Sequence, residues 1–183
     1  MKALFPILAL LVVITACEKE TGANRNGRPQ AFFDLKGYIQ KETQRLSSQQ
    51  PRVLKRISID GEQEEKTFDT LDYSKELAIF SRSDINKTAW FAKYQADSTF
   101  SQGQLQQITY AAKDKKLKTR LLEVRFDGQG AVSDIHISNV TESLVADVRQ
   151  DLAYQPAEGY SLTTRQSTAL SDEKEISVVV KFR

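Results

Sequence analysis

The run Leu117–Asn139, LKTRLLEVRFDGQGAVSDIHISN, decides the fold. Two strand-like segments, Leu117 to Phe126 and Val132 to Asn139, flank the turn Asp127-Gly128-Gln129-Gly130. In the second segment Ile135 and Ile137 take one side, and Asp134, His136 and Ser138 take the other. A period of two is the mark of a strand with one buried face. A turn this short joins neighbours that run in opposite directions, so the pair is antiparallel.

The same pattern continues on both sides. Downstream, Leu144, Ala146, Val148, Leu152 and Tyr154 line one face of a long strand whose other face carries Asp147, Arg149 and Asp151. Tyr160 to Gln166 and Ile176 to Phe182 follow, with Ile176, Val178, Val180 and Phe182 pointing one way. Upstream, Leu105 to Ala112 reads as a strand. Trp90, Ala92, Tyr94 and Ala96 alternate with polar residues, Phe91 apart, and the period changes from 3.6 to 2 beyond Asn86. Before that point Phe32, Leu35, Ile39 and Leu46 fall on one helical face that Pro51 stops. Val53 to Ile59 and Gln63 to Phe68 form a hairpin about Asp60-Gly61. A second helix carries Tyr73, Leu77 and Phe80, with Asp69, Thr70 or Asp72 as its cap.

The order α-β-β-α followed by about seven strands predicts an α+β domain: a single curved antiparallel sheet of about nine strands, with two helices on its apolar face. A domain over residues 30–183 is long enough to bury roughly 68–70% of its unfolded surface. A transmembrane β-barrel fits the alternation too, but it would leave the two amphipathic helices without a partner, and no aromatic girdle marks both strand ends.

The chain has 183 residues, 26 Lys+Arg against 24 Asp+Glu, and 40% hydrophobic residues. That composition excludes a disordered tail and a multi-span membrane protein. Near-neutral charge argues against a broad grip on nucleic acid.

The first residues are of another kind. Lys2 precedes an apolar stretch from Ala3 to Ala16. At about 14 residues it falls short of the roughly 20 needed to span a bilayer and matches the core of a secretion signal. It ends in Ile14-Thr15-Ala16-Cys17, which resembles the lipobox of bacterial lipoproteins. That resemblance implies that residues 1–16 are a signal peptide removed before Cys17, and that Cys17 carries lipid. Two or three acyl chains give the stable anchoring that one chain does not. Residues 17–29 then read as the lipidated cysteine and a flexible tether, with a reach of about 20 Å, and residues 30–183 as a single domain. Cys17 is the single cysteine of the chain, so the domain has no disulfide. Glu18, rather than Asp, stands after the anchor, and by the same resemblance this favours the outer membrane. Cys17-Glu18-Lys19-Glu20 partly resembles the surface-export tag of Bacteroidota lipoproteins, but Thr21 breaks it. Whether the domain faces the periplasm or the outside stays open.

Chemistry-bearing motifs are sparse. Asp134, His136 and Ser138 invite a catalytic reading, but residues two apart on a strand are about 6.6–6.8 Å apart. A triad needs contacts of about 2.6–3.2 Å. With one histidine and no cysteine in the domain, the usual zinc sites cannot be built. Gly128-Gln129-Gly130 suits a hairpin turn better than a phosphate cradle. We expect no catalytic residues, no metal and no cofactor.

Two charge clusters and one aromatic group stand out. Asp60, Glu62, Glu64 and Glu65 make an acidic turn. Lys113, Lys115, Lys116, Lys118 and Arg120, relieved by Asp114, make a basic one. Such clusters are ordinarily solvated turns and guarded sheet edges; the sharper reading is that the basic turn touches anionic lipid headgroups or an acidic partner. Trp90, Phe91, Tyr94, Phe100 and Tyr110 are core aromatics by default. Alternatively Trp90, Tyr94, Phe100 and Tyr110 line a cavity between sheet and helices.

A lipid-anchored, cysteine-free domain of this architecture resembles the lipoprotein-carrier and lipoprotein-receptor half-barrels of the outer-membrane sorting system. The lipobox and the spacing Asp72-Tyr73…Glu76-Leu77…Phe80…Asp84-Ile85-Asn86-Lys87 are similar to small uncharacterised Bacteroidota lipoproteins. Neither resemblance transfers a functional residue. The expectation is a membrane-anchored envelope lipoprotein with a non-catalytic binding or assembly domain. The alternative is a carrier or receptor for lipid or lipoprotein. Its partners would be the membrane, through lipid on Cys17, and an envelope protein or apolar ligand; nucleic acid is not expected. Asn86-Lys87-Thr88 and Asn139-Val140-Thr141 are glycosylation sequons only in a host with the enzyme.

Overall fold

A computed structural model describes residues 32–168 and 171–183. The expected signal peptide, Cys17 and the expected tether lie outside the described residues.

The chain begins with helix α1 (Leu35–Gln49) and the hairpin β1 (Val53–Ile59) and β2 (Glu62–Phe68). Two single-turn helices follow, α2 (Tyr73–Glu76) and α3 (Ala78–Ser81), then a 3₁₀ segment over Thr88–Lys93. The remaining strands are β3 (Tyr94–Ser101), β4 (Gln104–Ala112), β5 (Thr119–Phe126), β6 (Val132–Glu142), β7 (Ala146–Gln155), β8 (Gly159–Thr168) and β9 (Ser171–Phe182). All nine strands join one open antiparallel sheet in the order β2-β1-β9-β8-β7-β6-β5-β4-β3. The alternation read from the sequence therefore gives a sheet-dominated α+β fold.

Strands β3 to β9 form a meander. The amino-terminal hairpin then adds to its last strand, with Val53 opposite Phe182 and Ile59 opposite Ile176. This puts β2 and β3, which are consecutive in the chain, at opposite edges of the sheet. The segment between them touches one strand after another. Tyr73 stacks edge-on with Phe182 of β9, and Glu76 meets Lys55 of β1 and Tyr160 of β8. Phe80 packs against Tyr160 and Tyr154 of β7, and Ser83 meets Asn139 of β6 and Thr119 of β5. Trp90 lies against Tyr94 of β3.

Local sequence explains the ends of α1. The Asp34 carboxylate accepts the Gly37 N–H at 2.9 Å and caps the first turn. A Cβ at Gly37 would collide with that carboxylate, which accounts for a glycine inside a helix. Gln50 closes the helix in the left-handed region (φ 44°), and Pro51 prevents continuation. In the β1–β2 hairpin both turn residues have positive φ, Asp60 at 50° and Gly61 at 93°. That conformation matches the strand twist and favours Asp-Gly. The core is one cluster, including Leu35, Ile39 and Leu46 of α1, Tyr73, Leu77 and Phe80 of the crossover, and Leu122, Ile137, Leu152 and Tyr154 of the sheet.

Three local expectations are corrected. Trp90 and Ala92 are not strand residues: they lie in the 3₁₀ segment, and β3 starts at Tyr94. The second helix is two single turns meeting at Leu77. Leu144 does not line the apolar face of β7. Ser143 turns the chain there: its hydroxyl donates to the Ala146 carbonyl at 2.7 Å, and its own N–H reaches the same carbonyl at 3.1 Å. Leu144 is left 103% exposed and Val145 76% exposed.

Candidate functional site

The helical segments meet the sheet through two matching contacts. The Tyr154 hydroxyl donates to Glu42 Oε2 of α1 at 2.6 Å, and Arg45 also holds that carboxylate at 2.7 Å. The Arg45 guanidinium goes on to the Pro156 carbonyl at 2.9 Å, in the β7–β8 turn. The Tyr160 hydroxyl donates to Glu76 Oε2 of α2 at 2.6 Å, and Lys55 Nζ meets Glu76 Oε1 at 2.7 Å. Charge-assisted bonds of this kind are about twice as strong as neutral ones. Burial, and then the adjacent carboxylate, push both tyrosine hydroxyls well above their ordinary pKa. They are donors, not bases, at any physiological pH. The hydrophobic period that finds helices and strands says nothing about such pairs, so neither the Glu42–Tyr154 nor the Glu76–Tyr160 bond is expected from the sequence.

The aromatic group is brought together only in part. Tyr94 and Tyr110 are buried and pack on the Phe32 ring, with centroids 5.8 and 5.2 Å away. The Tyr94 hydroxyl donates to the Thr119 carbonyl at 2.8 Å, and burial raises its pKa to about 12. Tyr110 accepts the Phe33 N–H at 2.9 Å. Trp90 is half-buried, tilted on Tyr94, with Lys87 Nζ 4.0 Å above its ring. Phe100 stands apart, 65% exposed near the far end of the edge strand. Phe32 also meets Phe91 edge to face, with ring centroids 5.7 Å apart. A shallow pocket of about 300 Å³ lies elsewhere, lined by Leu105, Phe126 and the Asp127–Gly130 turn.

A buried polar group sits under the crossover. Asn139 Nδ2 donates to Ser83 Oγ at 2.9 Å, Ser83 Oγ donates to the Ile79 carbonyl, and Thr119 Oγ1 donates to the Ser83 carbonyl at 3.1 Å. All three residues are at most 3% exposed. Asn139 Oδ1 has no hydrogen-bond partner among the described residues. A bulge at Arg120 makes this possible. Thr119 pairs with Asn139 and Leu121 with Ser138, so the phase of alternation shifts by one and Thr119 faces the core along with Leu122. Asn139 of the second sequon is thereby buried, and Asn86 of the first is engaged with the backbone of Phe32 and Phe33.

His136 lies on the opposite face of the sheet, 38% exposed, with Nδ1 3.7 Å from Glu123 Oε2 on the neighbouring strand. Asp134 and Ser138 share its face, and no bond joins either of them to the imidazole. This face is a lattice of surface pairs such as Arg165 with Glu175 and Arg56 with Glu65. Among the described residues no group of three or more His, Cys, Asp or Glu is placed to hold a metal, and no helix is long and apolar enough to cross a membrane.

Both charge clusters lie at one end of the sheet. Lys113, Lys115, Lys116 and Lys118 are exposed in the β4–β5 turn, and the acidic residues cluster around the β1–β2 turn at the far corner. The exposed Leu144–Val145 tip of the β6–β7 turn sits between the two corners and next to the basic one. The chain has no match among protein-family models, curated proteins or solved structures.

Proposed function

We propose that this protein is a lipid-anchored lipoprotein of the bacterial outer membrane, with a domain that binds or assembles rather than catalyses. The observation that carries the reading is Ile14-Thr15-Ala16-Cys17 at the end of a short apolar stretch, followed by a hydrophilic tether and one domain. In this reading both helical segments lie on the apolar face of the sheet and close it. The residues they contribute, Leu35, Ile39, Leu46, Tyr73, Leu77 and Phe80, are each fully buried, which suits a filled interaction module better than a container. The domain then works through its outside.

A second reading, a carrier for an apolar ligand, is favoured by one observation. Ile57, Ile59 and Ile176 lie on the face that bears Val53 and Val180, and they are 37%, 52% and 43% exposed. An acyl chain could lie on that uncovered strip. Native mass spectrometry of residues 28–183, purified without detergent, separates the two. The binding-module reading expects a clean protein mass. A persistent adduct in the range of a lipid, lost on Ile59→Ser/Ile176→Ser, favours the carrier. Replacing Cys17 by Ala tests the anchor: the full chain should move from the membrane fraction to the soluble fraction.

A further inference from the structure

The β6–β7 tip and the β4–β5 turn are joined. Val140 N–H donates to the Lys118 carbonyl at 2.8 Å, and Arg120 reaches Glu142 at 3.6 Å. Two exposed aliphatic side chains, Leu144 and Val145, thus stand beside four exposed lysines, Lys113, Lys115, Lys116 and Lys118. Nearby acids already face other bases: Glu142 faces Arg120, and Asp114 faces Lys93 at 3.9 Å. Asp147 at the foot of the tip, and Asp172 and Glu173 at the start of β9, two strand spacings or about 10 Å away, are the other exposed acids near it. Lys115, Lys116 and Lys118 have no ion pair among the described residues.

We propose that this tip and turn form a surface that docks on an anionic lipid bilayer, with Leu144 and Val145 entering the headgroup region and the lysines meeting the headgroup charges. The proposal deepens the anchored-lipoprotein reading and rests on it for the membrane. Two observations favour a bilayer over a protein partner. Charge and apolar tip are complementary to an anionic interface, where each lysine near the surface adds about fivefold in affinity. Two aliphatic side chains are too little for a protein interface, which needs about 800 Å² a side. The acidic β1–β2 turn at the same end is six strand spacings away, about 29 Å. That is nearly three Debye lengths at about 0.1 M salt, and Asp172 and Glu173 at the β8–β9 end are four spacings, about 19 Å, from the lysine turn, so the lysines keep their attraction for an anionic surface.

The test uses the full chain in vesicles of phosphatidylcholine and phosphatidylglycerol in equal parts. An environment-sensitive fluorophore is placed on Leu144→Cys, or on Gln129→Cys at the opposite end of the sheet as the comparison. Spin-labelled lipid should quench the label at position 144 at least about threefold more than the label at position 129. Lys115→Glu/Lys116→Glu/Lys118→Glu should remove that difference, and vesicles of phosphatidylcholine alone should reduce it. Equal quenching at both positions, or a difference that survives the lysine changes, overturns docking. The anchor is read separately from label stoichiometry. A chain that takes up two labels has a free Cys17, which sinks the anchor and leaves the quenching comparison to judge the surface.

Discussion

Tyr154 and Tyr160 stand directly opposite each other on β7 and β8, and each gives its hydroxyl to a carboxylate on a different helix. Glu42 of α1 and Glu76 of α2 are side by side in this way although they are far apart in sequence. Phe80 packs on both tyrosine rings, at 5.9 and 6.2 Å. Residues of α1, α2 and α3 therefore all meet this one pair of tyrosines.

Removing one hydroxyl tests these contacts. Tyr160→Phe keeps the ring against Phe80 but leaves Glu76, 21% exposed, with Lys55 alone. The loss of a hydrogen bond to a charged group costs about 1.5–3 kcal/mol. Urea unfolding should show that loss for Tyr160→Phe and a comparable one for Tyr154→Phe, with unchanged m-values. A change below about 0.5 kcal/mol in both would mean that the carboxylates are satisfied without the tyrosines.

The tyrosines also set an alkaline limit. All six, Tyr38, Tyr73, Tyr94, Tyr110, Tyr154 and Tyr160, have raised pKa values, with burial the largest cause in each. A folded-state pKa above the unfolded value of about 10 favours the protonated form in the fold. The resulting stability is whole below about pH 10 and is lost as pH rises above it, towards the folded values. Absorbance at the tyrosinate band should stay flat through about pH 10 and then rise together with loss of the far-ultraviolet signal. Independent ionisation of a tyrosine near its ordinary pKa in the folded chain would contradict this.

Ser83 and Asn139 are predicted to be coupled. Ser83→Ala leaves Asn139 Nδ2 without its acceptor in a buried place and should cost about 1–3 kcal/mol. Replacing both, as Ser83→Ala/Asn139→Leu, removes the stranded polar group and should recover most of that loss. A double-mutant cycle in urea measures the coupling. Additive losses would show that the two side chains act independently.

The strands were legible because nearly every one has a single apolar face, and Asp60-Gly61 announced its hairpin. Helix α1 was legible from Leu35, Ile39 and Leu46. Where the reading failed, a local polar group or a change of phase was responsible. Alternation through Leu144 looked like β7, yet the Ser143 hydroxyl and N–H hold the Ala146 carbonyl and turn the chain before the strand begins. Trp90 and Ala92 alternate as strand residues do, yet a 3₁₀ turn precedes β3. Thr119 belongs to the core only because Arg120 bulges, and a bulge leaves no mark in periodicity. Of the site residues, the exposed lysines of the β4–β5 turn were legible as a charge run. Their neighbour Leu144–Val145, and the Glu42–Tyr154 and Glu76–Tyr160 bonds, depend on strand pairing and could not be seen before it was known.

Lipid on Cys17 is tested most directly by the intact mass of the full chain, produced in a bacterial host and extracted from its membranes with detergent. An anchored lipoprotein should give a chain that starts at Cys17, lacks residues 1–16 and carries the added mass of a diacylglyceryl group with or without a further acyl chain. A chain that keeps residues 1–16, or one that is cut and carries no lipid, would contradict the anchor.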